Sequence, residues 1–257
     1  MQERFLNNIY FSATGTTSKC VATVAEAIGM PLNHTFNMAD KNAPESMRFS
    51  KNDIVLVGAP VYGGRIPKIF AHKLDKLHGD GAKAIAMVVY GNRDYDDALL
   101  ELTDILRGSG FNVMAAGAFI SQHSIFPKTG ISRPDKNDID RLMEFGRFCR
   151  ESINRTDIPD LLVKGNRPYK AYGSVPIHPT GDKDKCNECG RCSALCPADA
   201  IVQDMPWMTD NSRCISCGRC IVSCPASVRR YRGLKYKVIG KIFTTAFARR
   251  KEPEIFI

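Results

Sequence analysis

Ile9-Tyr10-Phe11-Ser12-Ala13-Thr14-Gly15-Thr16-Thr17 carries three signals in succession. The apolar triplet, preceded by Phe5-Leu6, reads as a buried strand. Hydroxyl residues then surround a single glycine. From Thr17 to Ile28 the pattern is helical, with Val21, Val24, Ala25 and Ile28 on one face, until Gly29 and Pro31 stop it. A hydroxyl-rich loop between a strand and a helix N-terminus suits an anion, held by side-chain hydroxyls and by backbone N–H groups at the positive end of the helix. One or two hydroxyls would be explained as a helix cap, but this loop has more than a cap needs. It has no basic residue before Lys19. It is neither the glycine fingerprint of dinucleotide folds nor a P-loop with its Gly-Lys pair.

Outward from this loop the chain alternates strand and helix. Ile54–Val57, Ala84–Val89 and Val113–Ile120 are apolar runs of the kind that fill the interior of a parallel sheet. Ala98–Leu106 and Asp138–Ile153 have helical periodicity. The expected fold class is α/β, a doubly wound parallel sheet. Two further loops, Pro60 to Arg65 and Tyr90 to Tyr95, fall at the carboxyl ends of strands, where open sheets bind ligands.

On these residues residues 1–154 resemble flavodoxins, whose phosphate loop has the form Ser/Thr-x-Thr-Gly-x-Thr. Ser12, Thr14, Gly15, Thr16 and Thr17 match it. The resemblance implies FMN. It also implies that Pro60, Val61, Tyr62, Gly63 and Gly64 in one loop, and Tyr90, Gly91, Asn92 and Tyr95 in the other, surround the flavin ring, with Tyr62 and Tyr95 as the aromatic candidates. By the same resemblance, the Gly63-Gly64 peptide is one that can reorient beside the flavin. The chain departs from the family in lacking strong acidity and the usual acidic, Cys- or Trp-bearing second loop. Asp94, Asp96 and Asp97 are read as favouring the N-terminus of the following helix. No catalytic group is assigned. His123, at the end of the Val113 strand, is a weak candidate for a proton or hydrogen-bond donor, against the alternative of a loop histidine bonded to backbone.

Residues 155–180 hold Pro159, Pro168, Pro176 and Pro179 and read as a linker lying on a surface. Then Cys186-x₂-Cys189-x₂-Cys192-x₃-Cys196-Pro197 is repeated as Cys214-x₂-Cys217-x₂-Cys220-x₃-Cys224-Pro225. Zinc favours separated cysteine pairs, and disulfides do not explain the repeat. This is the bacterial ferredoxin spacing, in which the fourth cysteine of each run serves the other cubane. Residues 181–230 therefore predict a small α+β ferredoxin-like domain with two [4Fe–4S] clusters. The first would take Cys186, Cys189, Cys192 and Cys224, and the second Cys214, Cys217, Cys220 and Cys196. Cys20 and Cys149 read as core thiols. The whole chain resembles the flavodoxin–ferredoxin fusion proteins of anaerobes.

The net charge is +9, and nine basic residues against two acidic ones after Pro225 place +7 of it in the last stretch. The tail, residues 231–257, is expected to include a surface helix packed on its own domain rather than a nucleic-acid or membrane contact; the alternative is that Leu234 to Phe247 folds over the flavin mouth and makes a pocket, which would favour a reductase. The first residues lack a signal-peptide pattern, and no apolar run is long enough to span a bilayer, so a cytoplasmic location is expected. The clusters imply a redox protein donor such as a ferredoxin, and the flavin an acceptor that is either a partner protein or a small molecule such as a quinone. No second nucleotide fingerprint supports NAD(P)H as donor. A homodimer is left open.

Overall fold

The computed structural model describes residues 4–155, 157, 160–173 and 175–257; Pro159 of the linker lies outside them. The elements are β1 (Leu6–Tyr10), α1 (Thr16–Ile28), β2 (Leu32–Asn37), β3 (Met47–Arg48), β4 (Ile54–Pro60), α2 (Lys68–Leu74), β5 (Leu77–His78), β6 (Lys83–Tyr90), α3 (Ala98–Gly108), β7 (Asn112–Ile120), α4 (Lys136–Ser152), α5 (Arg191–Ala194), α6 (Arg219–Val222), α7 (Leu234–Ala246) and β8 (Glu254–Phe256).

The main sheet has the order β2-β1-β4-β6-β7-β8. Its first five strands are parallel. Chain order reverses at β1, which has β2 on one side and β4 on the other. This is the switch point of the flavodoxin-like order, and it opens a crevice at the carboxyl ends of β1 and β4. Ile9, Val55, Val57 and Val88 belong to one apolar layer, and Leu56, Ile85 and Met87 to the other. Helices cover both layers, as the continuous apolar strands require. Cys20 and Cys149 are fully buried in the second layer.

Two features of the sheet differ from the sequence reading. β2 has the polar sequence Leu-Asn-His-Thr-Phe-Asn and is largely exposed. An edge strand needs no apolar run, so hydropathy does not reveal it. The sheet is also not wholly parallel. The tail returns to the first domain, and β8 adds antiparallel to β7, with Gly117 opposite Ile255. The end of the tail is therefore part of the sheet and not an appendage. Its helix α7 has no fully buried residue, but Tyr236, Ile239 and Phe243 pack on the buried group of Ile125, Phe126, Ile177 and Tyr231.

The linker lies on the surface of the first domain, as expected, and specific contacts hold it there. Asp97 accepts hydrogen bonds from the backbone N–H groups of Asn166 (2.8 Å) and Lys170 (2.6 Å). Arg65 forms a buried fork with Glu101 (2.7 and 2.8 Å) and is flanked by the rings of Tyr169 and Tyr172. The Asp94, Asp96 and Asp97 carboxylates do not cap α3. Asp94 binds Lys164, Asp96 pairs with Arg93 and Lys170, and Asp97 holds the linker backbone. The physical reason is local competition: linker N–H groups and cations reach these carboxylates, and α3 takes no side-chain cap.

In the cysteine unit the sequence repeat is also a backbone repeat. Positive φ recurs at equivalent places: Glu188 and Ser216, Gly190 and Gly218, Asp199 and Ser227. Each half contributes one short helix, α5 or α6. Antiparallel bridges join Thr180 to Arg230 and Ile201 to Thr209.

Candidate functional site

α1 begins after Gly15, whose φ is 90° and which has no side chain to cap it. The hydroxyls of Thr14, Thr16 and Thr17 are thus not used in closing the helix, and all three residues line a cavity at the switch point. Ser12 has a different job. Its hydroxyl accepts from Ser18 N–H (3.1 Å), and its backbone is clasped by Asn37 from β2 at 2.9 and 3.0 Å. Ser12 and Gly15 shape the loop without lining the cavity. Nothing in the local pattern marks Asn37.

The cavity is about 300 Å³. Pro60, Val61, Tyr62, Gly63 and Gly64 line it from the loop after β4, and Tyr90 and Gly91 from the loop after β6. Tyr62 and Arg65 form a tight hairpin, closed by Tyr62 N–H to Arg65 O at 2.8 Å. Its two central residues, Gly63 and Gly64, have φ of 64° and 93°, the signature of a type I′ turn that favours glycine. Gly91 meets a different demand. A Cβ there would come within 2.6 Å of the His123 ring.

Asn92 and Tyr95 are not on the cavity, and the expectation that Tyr95 covers the flavin is corrected. Tyr95 is buried against Tyr90 and donates to Glu254 of β8 at 2.7 Å. Asn92 donates to the carbonyls of Phe247 (2.9 Å) and Arg249 (3.0 Å) and accepts from Lys251 N–H. Both residues fasten the returning tail, whose long-range pairing claims them.

His123 lines the cavity. Its Nδ1 accepts from the backbone N–H groups of Ile125 (3.2 Å) and Phe126 (3.1 Å), which is the backbone-bonded alternative. Burial, helped by the nearby Arg93 charge, lowers its pKa to about 4. The ring is therefore neutral near pH 7, with its proton on Nε2. It can donate a hydrogen bond but is a poor reservoir of protons. The cavity is completed by Arg93 of the second loop, Gln122 and Phe126, then Ile177 of the linker and Ile239 and Phe243 of α7. They come from four separate segments, so no local motif joins them.

The cysteine unit meets the same cavity. Ile215 and Ser216, between Cys214 and Cys217, are part of its wall. Burial, with smaller contributions from the neighbouring Cys217 and Tyr231, pushes the Tyr62 phenol well above the ordinary range. Tyr231 donates to Ser216 O at 2.7 Å. A ladder of rings continues from Tyr231 to Tyr236 and Phe126, at 5.7 Å for each step. Arg219 pairs with Asp40, and Lys41 with Asp199, across the domain boundary.

Cys196, Cys214, Cys217 and Cys220 line one small cavity, the second of the two expected ligand sets. Burial pushes the Cys217 thiol up to about 12, so a metal must displace its proton for it to bind as thiolate. In the other set, Cys192 lies within electrostatic reach of Cys224. Burial opposes ionisation of Cys224, but the N–H groups of residues 226–229 outweigh it and lower that thiol. The donor chemistry fits iron–sulfur clusters. Arg219 Nη1, Ser223 Oγ and Arg229 Nε, all in this unit, are buried without a partner among the described residues. Such donors suit the sulfur of a bound cluster, because leaving them unpaired is costly.

A family model for the flavodoxin domain matches residues 9–94, and one for a 4Fe-4S dicluster domain matches residues 178–225. The chain thus contains a flavodoxin domain followed by a 4Fe-4S dicluster domain, matching a flavodoxin–ferredoxin fusion. Among solved structures, a flavodoxin from the domain Archaea is 14% identical; the match covers 59% of this chain and 99% of that one, with a TM-score of 0.43. Oxidised flavodoxin 1 from Bacillus cereus is 19% identical, over 55% and 94% of the two chains, with a TM-score of 0.42. Rubredoxin oxygen:oxidoreductase from Desulfovibrio gigas is 16% identical, over 58% and 36%, with a TM-score of 0.42. Comparison with curated proteins gives no match. Among the described residues, no helix is long and apolar enough to cross a membrane.

Proposed function

We propose that this iron–sulfur flavoprotein carries electrons between two [4Fe–4S] clusters and one FMN, linking a low-potential one-electron donor to an acceptor. Cys186, Cys189, Cys192 and Cys224 hold one cluster, and Cys214, Cys217, Cys220 and Cys196 the other. Thr14, Thr16 and Thr17 hold the FMN phosphate, and the loops after β4 and β6 hold its ring. FMN supplies exchange between one-electron and two-electron chemistry. The observation that carries this reading is the shared wall: one cavity is bounded by Thr14, Thr16 and Thr17 and also by Ile215 and Ser216. That Ile215 and Ser216 share this cavity supports transfer within one molecule, with no encounter between molecules. Cys189 is exposed, which supports entry of electrons from a redox protein such as a ferredoxin at the first cluster.

A second reading, reduction of a small organic acceptor such as a quinone, is favoured by one observation. Ile239 and Phe243 of α7 reach the cavity beside His123 and Phe126, giving an aromatic chamber with a neutral hydrogen-bond donor.

Anaerobic reconstitution is expected to give about eight iron per chain, from two cubanes, and one non-covalent FMN. Once reduced ferredoxin has reduced the clusters, electron transfer from them to the flavin, read as its bleaching, should be first order, at a rate independent of protein concentration. Equal bleaching in a Cys214→Ala/Cys217→Ala protein would overturn the route through the second cluster. Saturable reoxidation by one small molecule selects the reductase, and reoxidation only by proteins selects the carrier.

A further inference from the structure

Arg229 is 2% exposed. Its partners are the carbonyls of Pro206 and Pro179 (the latter at 3.1 Å) and the hydroxyl of Thr209. No carboxylate is among them, and its Nε is buried without a partner. A buried guanidinium without a counter-ion is strongly disfavoured, so its compensating charge must come from something other than a side-chain carboxylate. The negative groups within its reach are thiols. Pro206 O, which accepts from Arg229, also accepts from Cys192 Sγ at 3.5 Å, and the guanidinium hydrogen-bonds the Cys220 sulfur. Cys192 belongs to one proposed ligand set and Cys220 to the other. Bound clusters with their thiolates carry net negative charge and become one unit more negative on reduction.

We propose that Arg229 is a counter-charge shared by the two clusters, with its Nε–H aimed at cluster sulfur, and that it sets both reduction potentials together. This rests on the two-cluster reading above. A fixed cation favours the more negative, reduced form of whatever it faces, and it does so strongly in a low dielectric. Because it lies beside members of both ligand sets, it raises both potentials and limits the difference between them. It is a positioning and tuning residue, not a catalytic one.

The test uses reconstituted full-length protein. Iron content and the EPR signals of the reduced clusters come first, since their absence in the unsubstituted protein would sink the two-cluster reading itself. Arg229→Gln should lower the midpoints of both clusters, with at least a tenfold fall in the reduction equilibrium, about 59 mV for a one-electron couple. Arg229→Lys, which keeps the charge, should restore most of the shift. The shift should persist at high salt, because a buried charge is poorly screened. Unchanged midpoints in an iron-replete Arg229→Gln protein would overturn the proposal, as would a shift in one cluster alone. If the substituted proteins fail to hold iron, unsubstituted protein carrying ¹⁵N in its arginine guanidinium groups decides the matter. Pulsed EPR should then show a nitrogen coupling to the reduced clusters that survives Arg191→Lys and Arg219→Lys. No coupling overturns the assignment.

Discussion

The sheet domain and the cysteine unit are held together by different means. In the sheet domain, Phe11, Phe70, Phe119 and Phe145 are buried completely or nearly so, within two continuous apolar layers. In the cysteine unit the buried group is Cys192, Cys196, Ala200, Ile201 and Cys220, three of them cysteines, and its two helices are four residues long. A unit of this size lacks the apolar area to offset its own conformational entropy and depends on staples. The lesson is that the first region folds on its own side chains, whereas the second takes its stability from the clusters it is proposed to hold.

Removing iron should break the comparison most openly. Chelation under reducing conditions is expected to unfold residues 181–230, read as loss of amide protection there, while β4, β6 and β7 stay protected. Protection retained in both regions would refute the contrast. Next in size is a change in the sheet domain. Phe145 is fully buried with its ring 5.3 Å from Phe119. Phe145→Ala should cost about 3–5 kcal/mol in denaturant unfolding of that domain and leave the iron content unchanged. A smaller effect concerns pH. The folded state holds His123 neutral down to about pH 4, against an ordinary value of 6.5. The unfolded chain therefore binds the extra proton first, and this contribution to stability, complete above pH 6.5, is lost as pH falls towards 4. His123→Gln should flatten that part of the stability–pH curve, and an unchanged slope would count against the buried neutral ring. The smallest effect belongs to the join between the regions. Lys41→Ala removes a half-exposed pair with Asp199 and should change the melting free energy by at most about 1 kcal/mol. A larger loss would mean that the two regions melt as one.

The two regions were also unequally legible in the sequence. The cysteine repeat can be read at once, because spacing along the chain is itself the geometry of a short metal-binding loop. The Thr14 to Thr17 loop is legible for the same reason, as strand, loop and helix N-terminus are contiguous. The returning tail was not. Asn92 and Tyr95 stand where flavin contacts are expected, yet they bind carbonyls and a carboxylate more than 150 positions away, and nothing local encodes that pairing. β8 is three residues long and β2 is polar, so neither carries the apolar run by which an interior strand is recognised. Arg229 looked like one more charge in a basic stretch; only its burial sets it apart.

The pairing of β8 with β7 also fixes an order of events in the life of the chain. Synthesis runs from the amino end, so the outer edge of β7 stays bare until Glu254–Phe256 leave the ribosome. By then every cysteine has already emerged. The cysteine unit thus emerges between two parts of one sheet, and a chain broken between Cys224 and Glu254 would leave an open strand edge, a natural template for aggregation.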